Sequence, residues 1–255
     1  MKTFGASALS SLALVLSSQA AVTLWAGYNL GETGSLGSNN LPQDYSGNGR
    51  HFDSPISGGS ATLGTPGAYS GSSQYLSTAG TGSEGWYTNA GIASGLTDNF
   101  AFSIWANAST NTGATQGDIF TLGGSNGSFK LSLSPNGWAA SAHGIAWISS
   151  ANGASGTFTA NLWTHLMLVR QSGTTTFYIN DVPSGTYAGA PTNGSLHLSV
   201  SPGGATYFDG LLDDARVVTF DSSDSFFSIR AALVPEPTVS LLSCLGGLAL
   251  LRRRR

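Results

Sequence analysis

The 255-residue sequence predicts an all-β sandwich of two antiparallel sheets, and three observations predict it. Gly, Ser, Thr and Asn dominate, with 35 glycines and only 9% charged residues. That composition suits short strands and tight turns rather than long helices. Apolar residues recur with period two, as at Phe100, Phe102 and Ile104, the spacing of a strand with a buried face. Gly-, Asn- and Ser-rich clusters separate these runs, as in a sandwich or barrel.

In chain order, residues 1–20 read as a secretory signal. Lys2 supplies the positive start, and the apolar run that follows ends in Leu12, Leu14, Val15 and Leu16. Ser18 and Ala20 place small residues where a signal peptidase reads, so cleavage is expected after Ala20. The run is too short for a membrane span, which needs about 20 residues.

Residues 21–233 then form one domain, long enough to bury a substantial core. It holds no cysteine, because Cys244 lies beyond it, and therefore no disulfide. Its basic residues are Arg50, Lys130, Arg170, Arg216 and Arg230, against twelve acidic ones, for a formal net charge of −7. Nucleic acid is an unsuitable partner for such a surface, since its binding rests on phosphate neutralisation.

Leu24–Tyr28 is the first expected strand, and Asn99–Asn107 is the next clear one. Asp118–Leu122 and Ser128–Leu133 follow, with Gly123–Gly127 between them as a turn. Trp163–Ile179 reads as a hairpin turning at Ser172-Gly173-Thr174. Leu166 and Leu168 point one way, His165, Met167 and Val169 the other, so both faces look buried. Asn180-Asp181 tolerates positive φ and closes the next turn. Leu196–Val200 and Tyr207–Phe220 complete the pattern, with no long helix.

At the end, Val234-Pro235-Glu236-Pro237 precedes an apolar stretch, Thr238–Leu251, and four arginines, Arg252, Arg253, Arg254 and Arg255. The stretch can lie in a bilayer as a short helix, and the arginines favour the cytoplasmic face. This tail resembles the PEP-CTERM sorting signal of Gram-negative bacteria. The resemblance implies export machinery and an exosortase as partners, a transient inner-membrane stage, and a destination outside the cell or on its surface.

Four further segments carry a second resemblance. They are Asp44–His51, Phe100–Trp105, Trp163–Leu166 through Phe177–Asn180, and Phe208–Val217. In this order they are similar to the laminin G-like, concanavalin A-like family of jelly-roll domains. Asn180-Asp181 stands where that family usually has Asp-Gly, and Ala215 where it has a larger apolar residue. The resemblance implies a calcium ion at Asp44, in the loop with Ser46 and Gly47, and at Asp213. Calcium wants six to eight oxygens, so carbonyls and water must complete the shell. An Asx-turn at Asp44 and an arginine salt bridge at Asp213 are the structural alternatives.

Hydrolases on related folds need two carboxylates flanking the glycosidic bond. Residues 21–233 contain only Glu32 and Glu84 as glutamates, far apart and in loop-like contexts, so a non-enzymatic protein is expected. His51, His143, His165 and His197 lack metal-ligand spacing. Aromatic side chains are the functional lead. A two-residue turn in Ser141–Gly144 would put Trp138 and Trp147 on one face, and Trp86-Tyr87 forms a loop pair. Such rings stack on the C–H faces of sugars, whereas Trp25, Trp105 and Trp163 are expected in the core. The function these features point to is glycan binding or adhesion, with extracellular polysaccharide as partner, in a surface or matrix protein. A ligand-free structural component and a glycan-active enzyme with an atypical site are the alternatives.

Overall fold

The computed structural model describes residues 22–55, 62–69, 72–78, 85–88, 91–111, 117–123, 129–142, 146–147, 158–189, 194–202, 204 and 206–234. Among the described residues, fifteen strands lie in chain order. They are β1 (Thr23–Tyr28), β2 (Ser54–Pro55), β3 (Thr62–Gly64), β4 (Tyr75–Thr78), β5 (Trp86–Tyr87), β6 (Phe100–Asn107), β7 (Gly117–Leu122) and β8 (Phe129–Ser134). Then come β9 (Gly137–Ala142), β10 (Ala146–Trp147), β11 (Thr164–Gln171), β12 (Thr174–Ile179), β13 (Val182–Tyr187), β14 (Leu196–Leu198) and β15 (Gly210–Thr219), followed by helix α1 (Phe226–Leu233).

The strands form two antiparallel sheets. The first runs β13-β12-β11-β6-β15-β4-β3, with β1 also paired to β15, and the second runs β10-β9-β8-β7-β14-β5-β2. Period-two alternation decides the facing. Phe100, Phe102, Ile104 and Ala106 of β6 point into the shared core, with Phe120, Phe129, Leu131 and Leu133 from the second sheet. Edge-to-face contacts tie the layers together: Phe102 on Phe120 at 5.5 Å and Phe100 on Phe129 at 5.7 Å between ring centroids. Two antiparallel sheets in a jelly-roll-like sandwich are what the sequence predicts.

The hairpin prediction also holds. Ser172 and Gly173 have positive φ, as do Asn180 and Asp181, the backbone of two-residue hairpin turns. Both faces of β11 are buried because α1 covers the outer one. Ile229 and Leu233 pack on Ala101, Met167, Val169 and Val218, and the Arg216 guanidinium donates to Ala232 O at 3.1 Å. Ser225 caps the helix, its hydroxyl accepting from Ser228 N.

Two expected strands are shorter than predicted. β14 stops at Leu198 because Ser199 turns left-handed, with φ 59°, and Tyr207 makes only an isolated bridge to Val200 before β15 begins at Gly210. β15 also carries a bulge: Asp213 faces Trp105 and Arg216 faces Ser103, so Asp214 and Ala215 share the place opposite Ile104. β4 pairs with the strand before that bulge and β1 after it. No helix among the described residues is long and apolar enough to cross a membrane. The signal residues 1–20 and the tail residues Pro235, Glu236, Pro237 and Arg252–Arg255 lie outside the described residues.

Candidate functional site

Pairing across the second sheet brings one residue from every strand into register, on the outer face from Ser54 to Ser141, while the Trp147 side chain lies outside the described residues. The row reads Ser54, Tyr87, His197, Thr121, Lys130, Ser141, Trp147. From β5 to β10 it crosses five strand spacings, about 24 Å. Asp118 and Ser132 sit one row on, where Lys130 Nζ and Ser132 Oγ donate to the Asp118 carboxylate at 2.9 and 2.8 Å. Tyr87, 36% exposed, stacks on the His197 ring at 6.2 Å.

His197 and Thr121 are direct cross-strand neighbours, 9% and 0% exposed. Burial pushes His197 down to about 4, with Lys130 adding to the effect and Asp118 opposing it, so the imidazole is neutral at physiological pH. Its Nδ1 and the Thr121 hydroxyl have no hydrogen-bond partner among the described residues. Two buried, unsatisfied polar atoms side by side cost stability unless something outside the chain satisfies them. Both atoms are closed to solvent in this structure, so a hydroxyl-bearing ligand stacked on Tyr87 reaches them only where the covering side chains part.

The structure divides the four aromatics expected to form a sugar platform. Tyr87 is on the row. Trp86, its chain neighbour, alternates inward and is 2% exposed, and Trp138 is fully buried, edge-to-face with Phe158 at 5.4 Å. Nor do Trp138 and Trp147 oppose each other, because the β9–β10 connection holds three residues rather than two. Ala142 pairs with Ala146 and Trp147 with Ser141, while Trp138 pairs with Leu133. The odd-length loop reverses the expected parity. Trp25, Trp105 and Trp163, expected in the core, are half-buried, and of these Trp25 packs against the core. Trp105 lies on the outer face of the first sheet between the Tyr69 and His165 rings, and Arg50 sits 4.0 Å over the Trp25 ring.

Asp44 and Asp213 belong to two separate hydrogen-bond networks. Asp44 forms the Asx-turn, accepting from Ser46 N at 2.9 Å, and also accepts from Gly27 N, Arg50 N and Ser46 Oγ. Burial opposes ionisation, but these four donors hold its carboxyl below the usual range. Asp213 accepts from Ala68 N and Ser72 Oγ, at 2.8 and 2.6 Å, and burial pushes it up to about 6. The arginine bridge belongs to Asp214, which meets Arg216 Nε at 3.1 Å. A calcium ion at Asp44 would face four N–H and O–H hydrogens, so the donor set does not fit the metal. No group of three or more His, Cys, Asp or Glu that could hold a metal occurs among the described residues.

Glu32 is equally committed, accepting from Ser72, Ser73 and Gln74, and Glu84 lies outside the described residues. In the sequence Thr121 carries no signal, and His197 shows only as a histidine without metal-ligand spacing. The run Leu196-His197-Leu198 alternates, and its polar member is the outward one, but nothing local tells which strands flank it.

The architecture is thus a two-sheet sandwich with a polar outer face that carries Tyr87. The family profile described as the concanavalin A-like lectin/glucanases superfamily matches residues 70–223, and the chain belongs to that superfamily. No curated protein matches the sequence. Among solved structures, domain 4 of AbnA, an extracellular GH43 arabinanase from Geobacillus stearothermophilus solved with arabinotriose, is 20% identical. Its TM-score is 0.53, over 78% of this chain and 94% of that one. The binding domain of Paraclostridial Mosquitocidal Protein 1 is 14% identical, with TM-score 0.54, over 82% of this chain and 51% of that one. Trypanosoma rangeli sialidase, solved as a covalent intermediate with 2,3-difluorosialic acid, is 11% identical, with TM-score 0.53, over 82% and 32%. The chain therefore spans about half of the mosquitocidal binding domain and a third of the sialidase. At these identities the likeness is one of fold.

Proposed function

We propose that this protein is a non-enzymatic glycan-binding module, exported to the surface or matrix of a Gram-negative bacterium. The observation that carries the reading is the adjacent, unsatisfied pair His197 Nδ1 and Thr121 Oγ1 beside Tyr87 on the second sheet. A sugar stacks its C–H face on the exposed Tyr87 ring, and its vicinal hydroxyls meet the pair once the side chains covering it part. The superfamily, and the arabinotriose bound by the arabinanase domain, support the same ligand class. The row is long enough for several sugar units, and its Asp118–Lys130 pair leaves it without net charge, which favours a neutral chain. Calcium at Asp44 and Asp213 is not required by this reading. Export rests on the signal-like residues 1–20 and the PEP-CTERM-like tail, with an exosortase handling the tail after a transient inner-membrane stage.

The test is binding of the purified protein to a polysaccharide panel, with calcium and then with chelator. Saturable binding without turnover, weakened about tenfold or more by Tyr87→Ala or His197→Ala, is the expected result. Failure to bind any polymer supports a purely structural matrix component, and release of reducing ends supports an enzyme.

A further inference from the structure

We propose that a second pocket, at the end of the first sheet, binds a single neutral sugar ring. It lies apart from the outer face of the second sheet and stands independently of the polymer-binding reading. The cavity holds about 210 Å³, and its lining includes Ser77, Asn107, Ser109, Asn161, Asp209 and Leu211. Sites for drug-sized ligands begin near about 300 Å³, so this one suits a single ring.

The floor is rigid. The Thr78 hydroxyl is committed to Phe208 O and Gly210 O, at 3.0 and 3.1 Å. A Cβ on Gly210 would lie 2.5 Å from both Asn107 O and the Phe208 ring, so the chain there is as close as glycine permits. Asn161 is held left-handed, φ 58°, with its N–H donating to Ala108 O. The remaining polar groups are unengaged: the side chains of Ser77, Asn107, Ser109, Asn161 and Asp209 have no hydrogen-bond partner among the described residues. By contrast, Glu32 in the loop after β1 accepts from Ser72 and Ser73, and Asp213 on β15 accepts from Ser72.

Five uncommitted polar groups around one small cavity match a ligand whose neighbouring groups both donate and accept. The two amides do both, and the carboxylate accepts strongly. Leu211 offers apolar surface to the C–H face. Among the described lining residues Asp209 is the one that carries charge, which selects against uronic and sulfated sugars. A single carboxylate is also a poor start for a calcium shell of six to eight oxygens.

The test is saturation-transfer NMR on the full chain with methyl glycosides of glucose, galactose, mannose, N-acetylglucosamine and arabinose, alongside calorimetric titration with calcium. At least one neutral glycoside should show transfer. Asp209→Asn, which keeps the shape, should weaken it about tenfold. Asn161→Gly, which keeps the left-handed backbone, should weaken it too, both with an unchanged thermal midpoint. His197→Ala and Tyr87→Ala should leave it intact. The proposal is overturned if no glycoside binds at tens of millimolar, if transfer survives Asp209→Asn, or if Asp209 proves to bind calcium instead. Polysaccharide binding that fails while a glycoside binds removes the sheet-face reading and leaves the pocket standing; the converse removes the pocket alone.

Discussion

Folding stability should change little between pH 6.5 and 4, because two pairs of buried groups pull in opposite directions. Burial pushes His165 and His197 down to about 4. The unfolded chain, with ordinary imidazoles near 6.5, takes up protons in that window that the folded chain refuses, so stability falls with pH. Burial pushes Asp213 and Asp214 up to about 6 from 3.8. There the folded chain protonates first, so stability rises as pH falls from 6 towards 3.8. At about 1.4 kcal/mol per pKa unit, each of the four contributes at most about 3 kcal/mol, and the pairs cancel to about 1 kcal/mol. Urea unfolding followed by tryptophan fluorescence between pH 4 and 7 reads the slope. The double variant His165→Gln/His197→Gln should gain several kcal/mol on acidification, whatever its absolute stability, and Asp213→Asn/Asp214→Asn should lose several. A histidine variant that tracks the wild type, or a wild type that itself loses several kcal/mol, refutes the reasoning.

Trp138→Ala should cost about 3–5 kcal/mol in denaturant titrations by opening a core cavity, since the ring is fully buried; a near-neutral result would put it on the surface. Gly27→Ala should destabilise by about 1–3 kcal/mol, because the new Cβ would lie 2.5 Å from the Tyr45 ring; thermal melts check it. Chelator should leave the melting midpoint within about 1 °C of its value in calcium, since a ligand bound only by the folded state would raise it.

What was legible in the sequence was local. Alternation in Phe100–Asn107 and Thr164–Ile179 gave three neighbouring strands of the first sheet and their inward residues, because a strand's side-chain period is fixed by covalent geometry. Asn180-Asp181 announced its turn because both residues tolerate positive φ. The superfamily resemblance was legible for the same reason, being carried by such segments in order. Parity in the short strands was not. Trp86-Tyr87 and Trp138 offered no local sign of which face looks inward, and one residue in the β9–β10 loop reversed the answer.

By itself, then, the sequence determined the sandwich, its main strands and turns, and a ligand class to test. The tertiary structure alone decided which aromatics face outward, that Asp44 serves its loop, and that His197 meets Thr121. Those outcomes depend on which strands become neighbours across 76 residues of chain, as with His197 and Thr121. Such pairing is selected by burial over the whole core rather than by any local pattern.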